Sequence, residues 1–492
     1  MADASTIRVL DAVKALAFIG DLSMGQPTDH SLRTSWLAAR LAAEGGRDDA
    51  QCQVVREVSL LRWSGCTANA AGFADWLGDD IGSRAAMLAM RPGWGGEAEA
   101  QGRLEAAIQP LVQIHCEVSG EIARMLGLDD VTQTSLRHIF ESWDGAGFPE
   151  RLGGAQVPEA VFVVALASDL EILSRVYGFE AAQKLIGQKA GRHYPDALAR
   201  LVCAHGGGWL SELEQESAEG RDEPLDALPL QPGTAPEIVA DVIDLKLPWM
   251  AGYSRRVAEA AAGGCVQLGF DEETRRRTYL AGLLHGMGRM AVSNAIWDTP
   301  GRLSPAAWEK VRLVPYWTAR AGKQIDAFAR ETELASQAYE RLDGSGYFRS
   351  VAGAALGAEA RVLAAAACWV ALRSPRPWRE AMSAEAAADV LRDEVSKGRF
   401  DAESVRAVLS GEADGREAGA ADRARPARAS LLSPREAEVL RHISLGASNK
   451  EVARVLQMSP STVRTHVESV FRKLDCSTRA AATLKASTLG LI

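Results

Sequence analysis

Apolar positions recur at spacings of three and four along most of the chain, in Ala/Leu/Arg-rich segments with few β-branched runs between turn residues. Residues 279–284, 385–395 and 436–445 are examples, and the pattern predicts an all-α protein. The clearest stripe lies near the C-terminus, where Val463, Val467, Val470 and Leu474 stand at i, i+4, i+7 and i+11. Ser461, Arg464, Thr465, Glu468 and Arg472 gather on the opposite face. Helix starts are marked as well. Ser433-Pro434-Arg435-Glu436 has the form of a capping box, with Ser at the N-cap, Pro at the first helical position and Glu two further on. Ser448-Asn449-Lys450-Glu451 repeats the signature, and Ser459-Pro460 opens a third helix. Short helices are thus predicted over 434–445, 449–456 and 460–474, with a fourth near 478–489.

Two stretches interrupt the helical pattern. Residues 410–430 are rich in Ala, Gly, Arg and Asp, with almost no large apolar side chain to repay ordering, and read as a flexible linker. Residues 211–236 form a second break. The blocks on either side of that break repeat each other. His30-Ser31-Leu32-Arg33 answers Tyr253-Ser254-Arg255-Arg256, and the segment Leu60 to Cys66 answers Leu283 to Arg289, both at an offset of 223. Trp143-Asp144-Gly145-Ala146-Gly147-Phe148 answers Leu342-Asp343-Gly344-Ser345-Gly346-Tyr347 at 199, which places 24 extra residues in the first block, near Gly78–Gly102. A tandem duplication of a helical domain is expected. The expected organisation is two repeats (1–210 and 236–410), linkers at 211–235 and 411–430, and a small domain at 431–492.

Length agrees, since 492 residues exceed what one hydrophobic core serves. No run of about 18 apolar residues is present, and Met1–Leu10 carries charges where a signal peptide needs an apolar core, so no membrane association and a cytoplasmic location are expected. Seven scattered cysteines without a CxxC pair argue against a disulfide framework or zinc knuckle. The net charge of −9 argues against a nucleic-acid binder until its distribution is read. From Ser433 to Ile492 there are nine Lys/Arg against five Asp/Glu, so a basic end is attached to an acidic body.

That basic end resembles the LuxR/NarL type of helix-turn-helix, through LSPREAEVL (432–440), GASNKEVARVL (446–456) and SPSTVRTHVESVFRKL (459–474). The resemblance implies that Arg464, Thr465 and Glu468 face base edges, where Arg bonds guanine and Glu accepts from cytosine. It also implies that Lys450, Ser461, Thr462, Arg472 and Lys473 meet phosphates, and that Ala480–Leu489 is the homodimer contact. Two positions depart from the family: Gln457 stands where Gly is usual in the turn, and Ser461 where Lys is common.

The second block resembles the HD-GYP domains, metal-dependent phosphodiesterases of cyclic di-GMP, through residues 279–312, 339–350 and 367–383, and the first is a more distant copy, recognisable by FESWDGAGFP (140–149). Such chemistry needs two or more divalent metals about 3.5–4 Å apart, held by His and Asp from several helices. Position by position, the second block has Tyr253, His285-Gly286, Arg289, Val314, Ala338-Tyr339 and Ala367 where the family has His, His-Asp, Lys, His, His-His and Asp. His285 alone survives among the ligands. The first block keeps His30, His115 and Asp169 but has Arg62-Trp63 and Ile139-Phe140 at the two ligand pairs. His30, His115, Asp169 and His285 are therefore vestigial metal candidates, no catalytic residue is assigned, and a divalent metal is the alternative to no cofactor. The Tyr, Trp, Phe, Val and Ala replacements suggest a polar metal cavity turned apolar, suited to packing or an apolar ligand. Arg289, Arg341 and Arg349 are candidates for contacting a nucleotide's phosphate, although isolated arginines usually lie on solvated faces.

The expected function is regulation of transcription through double-stranded promoter DNA, with the degenerate domains sensing a ligand or partner. The alternatives are a metal-dependent cyclic dinucleotide phosphodiesterase with a DNA-binding tail, and a protein-binding scaffold localised on DNA.

Overall fold

In the computed structural model, the structure describes residues 6–95, 102–216, 224–226, 228, 230, 233–411 and 431–492. The fold is all-α, as the apolar spacing predicts; among the described residues there are isolated β-bridges but no strand. Packing divides the chain into two units, Thr6–Thr234 and Ala235–Ile492.

The first unit contains α1 (Val9–Ser23), α2 (His30–Glu44), α3 (Asp49–Leu61), α4 (Ala70–Leu77), α5 (Asp80–Leu88), α6 (Leu104–Met125), α7 (Asp130–Arg137), α8 (Glu159–Tyr177), α9 (Phe179–Lys189) and α10 (Asp196–Gln215). Asp48, Asp79 and Asp129 cap α3, α5 and α7 by accepting from backbone N–H groups of the first turn. α1 and α8 are apolar on nearly every face and run through the interior, and α2 packs against both α3 and α8. α10 continues to Gln215 with Leu213 fully buried, so the break expected from residue 211 starts later than its composition suggests. One apolar contact at the helix end outweighs the polar neighbours. Residues 217–223, and 412–430 of the second expected linker, lie outside the described residues.

The second unit contains α11 (Glu237–Asp244), α12 (Tyr253–Gln267), α13 (Glu272–Leu284), α14 (Asn294–Trp297), α15 (Pro305–Arg312), α16 (Val314–Ala321), α17 (Ala329–Ala335), α18 (Ala358–Arg373), α19 (Ala384–Ser396) and α20 (402–411). α12 packs against α13 and α18, as α2 does against its partners.

Individual hydrogen bonds recur at the two sequence offsets. Asp21 accepts from the backbone N–H and hydroxyl of Ser31, and Asp244 does the same for Ser254. The Ser119 hydroxyl accepts from Gly65 N–H, and the Thr318 hydroxyl from Gly288 N–H. Glu141 receives the N–H groups of Glu150 and Leu152, and Glu340 those of Arg349 and Val351. The Asp-Gly-x-Gly turns behave alike too. Gly145 and Gly344 have positive φ, of 75° and 77°. The second glycines do not; they are needed because a Cβ on Gly147 or Gly346 would lie 2.3 or 2.4 Å from neighbouring backbone.

The C-terminal helices of the second unit are α21 (Pro434–Ser444), α22 (Asn449–Val455), α23 (Pro460–Leu474) and α24 (Arg479–Thr488), within a residue or so of the sequence expectation. Both capping boxes form in full. Val463, Val467, Val470 and Leu474 are the buried stripe and pack on Val439, Leu440 and Val452. α24 touches α21, α23 and α11. Its Ala482 and Ala486 belong to this small core, whereas Ala481 and Leu484, equally buried, do not.

The capping Glu436 also accepts from the Ser469 hydroxyl and the Lys473 ammonium, each at 2.7 Å, which ties α21 to α23. Burial opposes ionisation, but Lys473 and the Ser433 and Ser469 bonds hold the carboxyl at about 2. A carboxylate depressed in the folded state stabilises above its unfolded value, near 4.5, and loses that contribution as pH falls towards 2. Acid titration of the folded domain, followed by helical circular dichroism, is expected to show weakening across that window, and Glu436→Gln to flatten it. Gln457, in the turn before α23, has φ of 52°. Replacement by Gly should therefore be neutral or stabilising by up to about 1 kcal/mol, and by Val destabilising, in thermal unfolding.

Candidate functional site

Three places answer the sequence expectations: the interior of each helical bundle and the outer face of α23.

In the second unit, His285 follows the last turn of α13 and is fully buried. Its Nδ1–H donates to the Gly282 carbonyl at 2.6 Å, which leaves Nε2 as the acceptor. That lone pair is already taken: Nη2 of Arg289 donates to it at 2.7 Å, and also to the Tyr339 hydroxyl at 3.0 Å. The Arg289 guanidinium lies 4.9 Å from the Tyr253 ring and 4.0 Å from an Asp244 oxygen. Burial and the adjacent cation push His285 down to about 3, so the ring is neutral. Burial lifts Asp244 to about 6 against the pull of Arg289. Tyr253 and Tyr339, at positions of family histidines, thus enclose a fixed organic cation. The expectation that such arginines lie on solvated faces fails for Arg289, which is 4% exposed. It holds for Arg349, paired with Glu333 at the surface. Arg341 is half-buried, over the Phe400 ring.

In the first unit the three retained ligand types are not brought together. His30 donates from Nδ1 to Glu171 at 2.7 Å. His115 donates from Nε2 to the Arg62 carbonyl at 2.8 Å and packs edge-on against Trp63 and Phe140; burial takes it down to about 3. Asp169 accepts from the Lys189 ammonium at 3.0 Å and the Tyr194 hydroxyl at 3.4 Å. Arg62, at the position equivalent to His285, is buried 4.2 Å from the Trp63 ring, and burial lowers it to about 10. Neither interior fits a divalent metal pair. Among the described residues no group of three or more His, Cys, Asp or Glu is arranged to hold a metal ion. Cys66 and Cys116 are buried beside this cluster, and burial raises Cys116 far above an ordinary thiol, which keeps it protonated and a poor redox centre.

On α23, every residue expected to face DNA is exposed. Ser461, Thr462, Arg464, Thr465, Glu468 and Arg472 lie on the side away from the Val463–Leu474 stripe. Arg464 and Glu468, 76% and 62% exposed, form an i,i+4 ion pair at 2.8 Å, a pairing that water screens and a ligand can open. Lys450 is exposed on α22, whereas Lys473 is already engaged by Glu436. The 480–489 segment is mostly buried within the unit, with Thr488 and Leu489 exposed.

Comparison with known proteins adds to this geometry. Residues 237–404 match the family described as HD domain, and residues 430–486 match the luxR family of bacterial regulatory proteins. The 3'3'-cGAMP-specific phosphodiesterase 3 of Vibrio cholerae is 26% identical over 404 residues, covering 76% of this chain and 88% of that protein. A probable transcriptional regulatory protein NarL of Mycobacterium tuberculosis is 39% identical over 98 residues, 20% of this chain and 45% of that protein. A crystal structure of a cyclic GMP-AMP-specific phosphodiesterase of V. cholerae superposes with a TM-score of 0.58 at 22% identity, covering 83% of this chain and 98% of that one, a likeness of fold. No described helix is long and apolar enough to cross a membrane. The chain therefore joins an HD domain at 237–404 to a helix-turn-helix domain of the luxR family at 430–486.

Proposed function

We propose that the chain is a cytoplasmic transcription regulator that binds promoter DNA as a homodimer through α23, and that its two HD-type bodies, the products of a tandem duplication, sense rather than hydrolyse. The observation that carries this reading is the Arg289 guanidinium hydrogen-bonded to His285 Nε2 at 2.7 Å, because a cation fixed there repels a metal and consumes the one imidazole that would bind it. On the DNA side, a packed back and an exposed polar front on a helix that follows a short turn support a major-groove reader. α11 supports a link between the two. Its Asp244 lies beside Arg289, and the helix packs against α24, the segment expected to form the dimer contact. Anything that moves Asp244 then bears on a surface that dimerisation needs free.

A second reading, hydrolysis of a cyclic dinucleotide, is favoured by the 26% identity to the V. cholerae phosphodiesterase across most of its length. Incubation of the full chain with 3'3'-cGAMP and cyclic di-GMP in the presence of Mn²⁺ or Fe²⁺, together with metal analysis of the purified protein, separates the two. The regulator reading expects no turnover and no stoichiometric metal; metal-dependent hydrolysis abolished by His285→Ala establishes the second. Arg464→Ala is expected to cost about 1–3 kcal/mol of binding to the cognate site and to relax sequence preference, whereas Lys450→Ala should weaken all DNA sequences alike and reduce the salt dependence. Fluorescence anisotropy on cognate and scrambled duplexes reads both outcomes.

A further inference from the structure

The cavity above Arg289 has a composition that neither a metal centre nor a filled core explains. It measures about 270 Å³, and its walls include Trp249, Tyr253, Tyr339, Arg289, Arg341 and Arg376. Three guanidiniums line it and no carboxylate does. Asp244 lies behind Arg289, at 4.0 Å. Two of the arginines are incompletely satisfied: Nη1 of Arg289 and Nη1 of Arg376 are each buried without a hydrogen-bond partner. A buried cationic N–H without an acceptor is expensive; Asp244 offsets part of that cost at Arg289, and an anionic acceptor would remove it at Arg376. The remaining wall is aromatic. Tyr339 and Tyr347 stack at 5.3 Å and 6° between planes, Trp249 and Trp378 meet edge-on at 6.1 Å, and Arg376 is held over the Trp249 and Tyr253 rings. By contrast, the groove in the first unit lined by Arg33 and Arg175 is also lined by Asp29, Glu171 and Glu214, which neutralise its guanidiniums internally.

We propose that the second-unit cavity binds a single-ring aromatic carboxylate, its ring between the Tyr and Trp walls and its carboxylate on Arg376 and Arg289. The inference rests on the sensing role proposed above and names its ligand class. Pockets for drug-sized molecules begin at about 300 Å³, so this cavity suits one ring and one anionic group rather than two nucleotides. A planar carboxylate matches the guanidinium fork, and a ring adds stacking that an inorganic anion lacks.

Isothermal titration of the full-length protein with benzoate and 4-hydroxybenzoate is expected to give saturable binding, one per chain. Benzamide, of the same shape without charge, is expected to bind at least about tenfold more weakly through loss of a charge-assisted contact, and acetate, with charge and no ring, at least about tenfold more weakly through loss of ring stacking and burial. Arg376→Gln should weaken benzoate similarly; Ala371→Phe, which fills the cavity from its half-buried wall, should abolish binding if the first variant does not fold. Benzamide binding as tightly as benzoate overturns the proposal, as does tight cyclic di-GMP binding that the aromatic acids fail to displace. Promoter binding by the same preparation separates the two levels. No binding of either acid with DNA binding intact sinks this inference alone, and loss of specific DNA binding sinks the regulator reading beneath it.

Discussion

The interior of the second unit is organised around a buried positive charge that is covalently part of the chain. His285, Asp244 and the hydroxyl of Tyr339 all address the Arg289 guanidinium. Removing it would leave a buried carboxylate and an imidazole lone pair without a cation, in a place where burial lifts Asp244 to about 6 even with Arg289 and Ser254 pulling it down. The first unit also buries a cation, from different residues: Arg62 lies over Trp63, with the Asp169 charge favouring its ionised form. A permanent cation stabilises the fold without a cofactor, but it cannot exchange ligands or ionise a water, which is the physical ground for the proposal that this bundle senses rather than hydrolyses.

The role proposed for such a body is recognition. Tyr253 and Tyr339 contribute aromatic walls to its cavity, and Arg376 contributes an N–H without an acceptor. The proposed signal and output would lie close together in the same unit: α11 carries Asp244 at one end and packs against α24, the helix that closes the small C-terminal core. That core is itself tightly specified, by two reciprocal capping boxes and by Glu436, which links the first and third of its helices. Its specification does not depend on the front face of α23, which leaves that face free to be chosen for DNA.

Much of this was legible along the chain because the signals are local. Ser433, Ser448 and Ser459 mark helix starts through bonds to residues three positions away, and a stripe such as Val463–Leu474 announces its own buried face. The 223 and 199 offsets found equivalent positions whose hydrogen bonds do recur, as at Asp21 and Asp244. Charge burial was not legible. Arg289 reads like any surface arginine, and only the fold reveals that Tyr253, His285 and Tyr339, 86 positions apart at the extremes, close around it. The unused signal was its place four residues after His285, where an i,i+4 contact can form. Likewise Lys473 reads as a phosphate contact until Glu436, 37 residues earlier, is seen to hold it. Leu213 shows the same limit in reverse, a single buried side chain that extends a helix into a polar stretch.

In the proposed regulator an internal guanidinium stands where a metal would sit, and the output is a grip on DNA. Affinity of the chelator-treated, full-length protein for a cognate promoter fragment, measured with and without added Mn²⁺, tests it most directly. The account predicts sequence-specific binding of equal strength in both conditions; binding that appears or collapses on addition of the metal would contradict it.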